Sequence, residues 1–221
     1  MNAVVRMLIS GSIGMAATAL VIFASAGTFD YWRGWAFLAV LAMSGWMSAI
    51  YFLRTNPAVL LRRLPKAEER PRQKVISAGV FVLWAAMLVV SSLDHRFKWS
   101  VVATEISLAG DVLVALAFAA IGLVLAQNSH AAVTVRVEAN QPLVSTGLYG
   151  LVRHPMYACN GLLLVGIPLA LGSFWGLMFL IPGLLLFAVR VLDEERFLAV
   201  ELGGYRDYMQ KVRYRMLPGI W

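Results

Sequence analysis

Charged residues and cysteines are scarce in this sequence. Asp, Glu, Lys and Arg make up 14% of its 221 residues and hydrophobic residues 60%, whereas a soluble domain has roughly 25% charged and roughly 45–50% apolar residues. This balance excludes a disordered chain, a basic nucleic-acid-binding domain and an ordinary soluble enzyme. Cys159 is the single cysteine, so the chain can form neither an internal disulfide nor a paired-cysteine motif. The histidines His95, His130 and His154 are too widely spaced for a helical zinc motif, and no metal site is predicted.

Long apolar runs are what the sequence has instead. A membrane-spanning helix needs about 20 mostly apolar residues, and four runs qualify, at 7–26, 32–53, 75–93 and 101–126. A fifth apolar stretch, 156–189, is too long for one span and is interrupted by Pro168, Pro182 and the pair Gly172-Ser173. These breaks predict a hairpin of two short helices that turns near Gly172-Ser173. The predicted fold is an all-α polytopic membrane helix bundle of about six transmembrane helices, or five if the hairpin crosses incompletely.

The distribution of basic residues predicts the orientation of this bundle. The chain has 19 Lys and Arg against 12 Asp and Glu, a formal net charge of +7. With both termini inside, only Arg33, Arg96 and Lys98 fall on the outer side, which favours cytoplasmic termini in a bacterial inner membrane or plasma membrane. Arg6 and Ala24-Ser25-Ala26 imitate a secretory signal, but the apolar run is long for a signal core, so we expect it to be retained.

The sequence divides into two regions. Residues 1–126 hold four predicted transmembrane helices, and residues 127–221 hold a polar loop, the C-terminal hairpin and a polar tail. Because a hairpin returns the chain to the side it left, the segments 147–157 and 190–195 should meet at its cytoplasmic end. The loop and the tail are expected to form a cap over that end, where any chemistry would be placed.

The sequence Arg153-His154-Pro155-Met156-Tyr157 marks the start of the hairpin. Pro155 suits the first turn of a helix, where its missing N–H costs nothing, and this places His154 near the N-cap. Tyr157 is three residues further on and shares a helix face with His154. Two interpretations stay open: His154 and Tyr157 line a polar pocket at the membrane surface, or His154 caps the helix and Tyr157 is an interfacial aromatic residue.

Three consecutive acidic residues, Asp193, Glu194 and Glu195, stand at the other end of the hairpin. Arg190 lies four residues before Glu194, so these two side chains can pair on one helix face. Ionisable groups at a membrane boundary that face a bundle interior are functional candidates. The alternative is a charged stop to the last span.

Two other polar segments are interpreted as membrane-surface structure. For residues 57–63, in a basic stretch, a solvated loop is favoured over a short amphipathic interfacial helix. The tail is predicted to hold a helix from Asp193 to Leu202, a Gly203-Gly204 break and a second short helix, with Tyr205 and Tyr208 at the interface.

The motifs follow one another in a recognisable order: Gly147-Leu148-Tyr149, Arg153 to Tyr157, the hairpin, Arg190 with Glu194-Glu195, then Leu198, Gly203, Tyr205 and Tyr208. This order resembles that of the integral-membrane methyltransferases, which include isoprenylcysteine carboxyl methyltransferase and the phospholipid methyltransferases. The resemblance covers residues 127–221, and the first 126 residues match mainly in hydrophobic layout. The chain departs from the family at Leu148, where proline is usual, and at Cys159, where glycine is usual.

The resemblance implies S-adenosylmethionine as the cofactor. Its pocket would be formed by the loop before the hairpin, the cytoplasmic end of the hairpin and the tail. The backbone around residues 144–149 would enclose the adenosine part, and one of the two adjacent glutamates would bind the polar groups. The residues implied for cofactor binding are Val144, Gly147, Tyr149, His154, Pro155, Tyr157, Glu194 and Glu195.

The resemblance also implies a lipid-like or isoprenoid-bearing methyl acceptor. Arg190 and Glu194 are the expected catalytic residues, with Arg190 facing the acceptor group. A carboxylate acceptor is favoured over an amine and needs no general base, whereas an amine could release its proton to Glu194 or Glu195. Membrane lipid is the expected partner; neither nucleic acid nor a metal is expected.

Two other functions remain as alternatives. A membrane reductase that uses a nicotinamide cofactor would share a similar hairpin, and the lack of a GxGxxG motif does not decide against it. A non-enzymatic scaffold or transporter should carry polar residues at mid-membrane, where this chain offers only Asp111 and scattered small polar residues. Binding of each cofactor would separate these possibilities.

Overall fold

A computed structural model describes residues 3–64, 68, 70–131, 134–138 and 140–221. Lys66, which the charge distribution assigns to the inner side, lies outside the described residues. In the described ranges the chain is helical and forms no strand. The helices are α1 (Ala3–Ala26), α2 (Trp32–Thr55), α3 (Pro57–Arg63), α4 (Pro71–Phe97), α5 (Thr104–Gln127), α6 (Leu148–Leu151), α7 (Pro155–Ala170), α8 (Leu180–Glu201) and α9 (Tyr205–Lys211).

The predicted all-α membrane bundle is confirmed. Five segments of the described chain are long and apolar enough to span a membrane: Val5–Ala26, Trp32–Thr55, Pro71–Phe97, Thr104–Gln127 and Trp175–Glu201. Helix α7 is apolar but only 16 residues long, short of the roughly 20 that a full crossing requires. By length, five segments qualify as spans, and α7 is a shorter sixth apolar helix that runs from the polar motifs to the hairpin turn.

Helix α7 is the best-buried helix of the bundle, and it lies along α5. Small residues permit this close approach. A Cβ atom on Gly110 of α5 would lie 2.2 Å from the backbone nitrogen of Ala170, and one on Gly166 of α7 would lie 3.1 Å from Val114. Surrounded in this way, α7 does not have to match the bilayer thickness by itself.

The hairpin turns where the sequence predicted. Helix α7 ends at Ala170, and Gly172 adopts a φ of +69° that a glycine accepts without strain. Asp94, at the end of α4, accepts hydrogen bonds from the Ser173 hydroxyl and from the Ser100 backbone nitrogen, the latter at 2.6 Å. The turn is thus tied to α4, and this fixes the direction in which α8 returns.

The opposite end of the bundle carries the described residues 128–131, 134–138, 140–155 and 190–221, and we call it the polar end. Helix α8 continues without a break to Glu201, so the helix predicted from Asp193 to Leu202 is confirmed up to Glu201, as the last part of α8. The short helix α9 after Gly203-Gly204 is confirmed. Residues 57–63 form helix α3, so the solvated loop favoured there was wrong. Proline at the first position of α3 explains its start.

Candidate functional site

A cavity of about 630 Å³ opens at the polar end and continues between the membrane helices. We call its two parts the polar limb and the apolar limb. The polar limb is formed by the loops and helix ends and includes Val144, Tyr149, His154, Glu194, Tyr205 and Tyr208. The apolar limb is formed by mid-helix side chains of α4, α5 and α8, including Val80, Phe81, Trp84, Phe118, Ile121 and Phe187.

The start of α7 is fixed by a buried ionic cluster around Glu195. Arg153 Nε donates to Glu195 Oε1 at 2.6 Å, and Arg215 Nε donates to Oε2 at 2.9 Å. His154 Nε2 lies 3.3 Å from Oε1. Arg153, His154 and Glu195 are each at most 7% exposed. The attraction of two guanidiniums offsets the free-energy cost of burying the Glu195 carboxylate. Removal of one partner from such a buried cluster strongly destabilises the protein, because a charge is left unpaired.

The tail completes this cluster through its backbone. The backbone nitrogen of Arg153 donates to Tyr214 O at 2.9 Å, and that of His154 donates to Arg215 O at 2.8 Å. Arg153 Nη1 also donates to Val212 O at 2.7 Å. The tail is thereby held against the start of α7, and the cluster connects α7, α8 and the tail across more than 40 residues of sequence.

His154 occupies the N-cap position of α7, but its side chain makes no capping hydrogen bond. Its ring contacts Glu195 instead and lies 3.5 Å from the Tyr205 hydroxyl. The capping interpretation of this histidine is therefore wrong. Pro155 is the first residue of the helix and lines the cavity with His154.

Tyr157 links Glu194 to Arg190. Its hydroxyl donates to Glu194 Oε2 at 2.7 Å and accepts a hydrogen bond from Arg190 Nε at 2.8 Å. Arg190 Nη1 donates to Ser77 Oγ of α4 at 2.6 Å. All four side chains line the cavity, and they lie where the polar limb meets the apolar limb. Tyr157 is part of this chain of hydrogen bonds and not a detached interfacial aromatic residue.

The loop before α6 forms the outer wall of the polar limb. Val144 and Tyr149 line the cavity, whereas Gly147 does not. Gly147 acts through its backbone: it has a φ of +61°, and a Cβ there would lie 2.7 Å from Gln127 Oε1, which accepts the Leu148 N–H at 2.9 Å. Burial raises the pKa of Tyr149 to about 12, so this phenol stays protonated at neutral pH.

Tyr205 and Tyr208 are buried rather than interfacial, so that expectation was wrong. Each is 3% exposed, and they pack with Leu202 and Val212 in a small apolar cluster beneath the tail. The Tyr208 hydroxyl donates to Tyr149 O at 2.7 Å. Burial raises the pKa of both tyrosines well above the usual value, so their hydroxyls remain hydrogen-bond donors.

The structure brings together most of the predicted site residues but separates Glu195 from Glu194. Glu194 faces the cavity, whereas Glu195 belongs to the buried cluster and is absent from the cavity lining. Arg63 and Ser77 line the cavity although no sequence motif pointed to them. Both come from the first 126 residues, where hydropathy was the main signal and could not show which polar side chains face inward.

The chain is similar to several known proteins. The family model of phospholipid methyltransferases matches residues 106–203. This segment is similar to that family. It includes α7 and α8, with the hydrogen bonds from Tyr157 to Glu194 and Arg190.

Two individual proteins are also similar. The cobalt-zinc-cadmium resistance protein CzcN of Cupriavidus metallidurans is 26% identical over 162 residues, which cover 71% of this chain and 68% of that protein. The structure of the eukaryotic intramembrane Ras methyltransferase, isoprenylcysteine carboxyl methyltransferase, aligns with 100% of this chain and 88% of its own at 16% identity, with a TM-score of 0.49. Among the described residues, no three His, Cys, Asp or Glu side chains are grouped to hold a metal ion.

Proposed function

We propose that this protein transfers a methyl group from S-adenosylmethionine to an amphiphilic acceptor with an apolar tail. The observation that carries the proposal is the continuous cavity. Its polar limb opens among loops and helix ends, and its apolar limb runs between helices α4, α5 and α8. Such a shape suits a water-soluble cofactor and a lipid-like acceptor that meet at one point.

The residues of the polar limb fit the cofactor. A volume of about 630 Å³ lies within the range of roughly 300–1,000 Å³ found for small-molecule sites. Glu194 supplies a carboxylate for the ammonium group of the cofactor, beside the wall formed by His154 and Tyr157. The apolar and aromatic side chains of Val144 and Tyr149 suit the adenosine part. S-adenosylmethionine, when bound, supplies an electrophilic methyl group on a positively charged sulfur.

Arg190 is the residue we assign to the acceptor. Its guanidinium lies between Tyr157 of α7 and Ser77 of α4, at the junction of the two limbs. In the transfer, the bond from the methyl carbon to sulfur breaks with its electron pair staying on sulfur, while the acceptor oxygen forms the new bond. A carboxylate acceptor needs no base, so the protein contributes mainly orientation, which can supply several kcal/mol.

Calorimetric titration with S-adenosylhomocysteine tests the cofactor assignment. We expect detergent-purified protein to bind it saturably, and Glu194→Gln to weaken binding about tenfold or more, because a charge-assisted hydrogen bond contributes about 1.5–3 kcal/mol. Glu201→Gln is the matched control, since Glu201 lies exposed at the end of the same helix. NADPH serves as the comparator.

Each other result of this titration has a distinct meaning. Binding of NADPH alone would replace the methyltransferase with a nicotinamide-dependent reductase. If Glu194→Gln and Glu201→Gln have equal effects on the affinity for S-adenosylhomocysteine, Glu194 does not bind the cofactor. If folded protein binds neither cofactor, the proposed function is wrong and a scaffold or transporter remains.

A further inference from the structure

Arg63 is a cation of the cavity wall with no counterion in the described part of the chain. It is the last residue of α3, and its guanidinium takes part in no hydrogen bond and no ion pair there. The adjacent Arg62, in contrast, is held by Glu138 at 2.9 Å and by the Ser129 carbonyl at 3.2 Å. Burial lowers the pKa of Arg63. A partly desolvated guanidinium is costly unless an anion accompanies it.

Two other arginines of the lining are each paired with a carboxylate within the protein. Arg136 Nη2 lies 3.2 Å from Glu138 Oε1, and Arg153 Nε lies 2.6 Å from Glu195 Oε1. Arg63 differs from both because the groups whose charge acts on its pKa are the phenols of Tyr157 and Tyr149. A phenol can donate a hydrogen bond to a ligand, but it does not neutralise a guanidinium at neutral pH.

The packing of α3 places Arg63 near the junction of the two limbs of the cavity. Val59 of α3 is buried in a cluster against which Ile121 of α5 and Met156 of α7 also pack. Both of those side chains line the cavity, and Ile121 belongs to the apolar limb. The tail residues Tyr205 and Tyr208 of the polar limb belong to a different cluster. Helix α3 therefore borders the region where the two limbs meet.

We propose that Arg63 binds an acidic group of the methyl acceptor and thereby selects anionic amphiphiles, namely compounds with a carboxylate or phosphate on an apolar chain. The proposal rests on the proposed function, because it names a property of that acceptor. A guanidinium matches both oxyanions with paired, charge-assisted hydrogen bonds. The apolar chain of the ligand would extend into the apolar limb.

Three probes of equal chain length test this selection: radiolabelled hexadecanoate, hexadecyl phosphate and the uncharged hexadecanol. Binding is measured by scintillation proximity with the protein in nanodiscs of zwitterionic lipid. We expect wild-type protein to bind at least one acidic probe saturably and at least tenfold more tightly than the alcohol. The acid that binds better distinguishes a carboxylate from a phosphate ligand.

Substitution of Arg63 should change the affinity of the protein for the acidic probes only. We expect Arg63→Ala to weaken binding of the acid about tenfold or more, Arg63→Lys to weaken it less, and neither to change binding of hexadecanol. Arg54→Ala is the matched control, because Arg54 is an exposed cation at the end of α2 that does not line the cavity. That control should leave all three affinities unchanged.

Four results would overturn the proposal. Wild-type protein could bind the acids no better than the alcohol. Arg63→Ala could reduce acid and alcohol binding equally, which would show that the side chain only shapes the cavity, or it could reduce neither. It could instead weaken binding of S-adenosylhomocysteine, which would move Arg63 to the cofactor carboxylate. Failure of the proposed function is recognised separately: wild-type protein would then bind the acids through Arg63 but not bind S-adenosylhomocysteine.

Discussion

At the scale of single residues, two adjacent glutamates have different surroundings. Consecutive positions on a helix point about 100° apart, so Glu194 faces the cavity while Glu195 faces Arg153 and Arg215. Sequence reasoning named both as cofactor contacts. Only the packing around α8 shows that one carboxylate is available to a ligand and that the other holds protein groups in place.

The different surroundings of the two glutamates predict that substitution of Glu195 lowers the stability of the protein, whereas substitution of Glu194 weakens cofactor binding. Glu195→Gln should lower the free energy of unfolding by about 3 kcal/mol, because it leaves two guanidiniums without their carboxylate. Glu194→Gln should weaken binding of S-adenosylhomocysteine while changing the thermal midpoint little. Thermal denaturation in detergent and calorimetry on both variants measure the two effects, with Glu201→Gln as the exposed reference. A larger loss of stability in Glu194→Gln than in Glu195→Gln would contradict the assignment.

Gly147 is a second residue whose role is fixed by its backbone. It adopts φ +61° and ψ −130°, a conformation that is essentially restricted to glycine. Gly147→Ala should cost about 1–3 kcal/mol through strain and displace the loop that carries Val144 and Tyr149, so affinity for S-adenosylhomocysteine should fall. Gly203→Ala is the control, because a Cβ there meets nothing within 4 Å. Equal affinity of the two alanine variants would show that the loop tolerates the change.

At the scale of secondary structure, the contact between α5 and α7 determines where the site is held. Helix α7 carries His154 and Tyr157 at its polar end, and its other end is pressed against Gly110. Because lipid does not drive helices together as water does, such contacts depend on close packing of small residues. A change at Gly110 is therefore expected to act on the whole of α7.

Gly110→Ala should destabilise the bundle by about 3 kcal/mol or more, since the added methyl group would overlap the backbone of Ala170. Gly122→Ala, on the same helix, should have little effect, because its nearest contact would be Ser48 Oγ at 3.9 Å. The thermal midpoint and the monodisperse yield after size exclusion measure the difference. Equal midpoints for the two variants would mean that α7 can move away from α5 at little cost.

At the scale of the whole molecule, the two ends of the bundle differ in chemistry. One end carries the cavity, the buried ionic cluster and the tail, and the other carries tight turns and exposed aromatic residues such as Trp99 and Trp175. Trp is enriched where a membrane meets water. The basic residues predict that the polar end is cytoplasmic, and the cofactor would then reach the cavity from that side.

Single-cysteine labelling tests this orientation. Cys159 is only 6% exposed, so the native chain should react little with a membrane-impermeant maleimide. We expect Val101→Cys, in the exposed turn between α4 and α5, to be labelled in intact spheroplasts. Lys211→Cys, at the polar end, should be labelled only in inverted vesicles. The opposite pattern would reverse the orientation, and labelling of both positions from one side would contradict the transmembrane bundle.

The sequence alone determined the membrane helices, the hairpin and the end of the bundle at which the motifs gather. These features depend on local properties: the length of an apolar run, the effect of proline and glycine on a helix, and the return of the chain after a turn. Tertiary structure alone decided which side chains face the cavity. The different surroundings of Glu194 and Glu195, the position of Arg63, and the contact of Arg190 with Ser77 across 113 residues all depend on packing between distant helices, which no local pattern encodes.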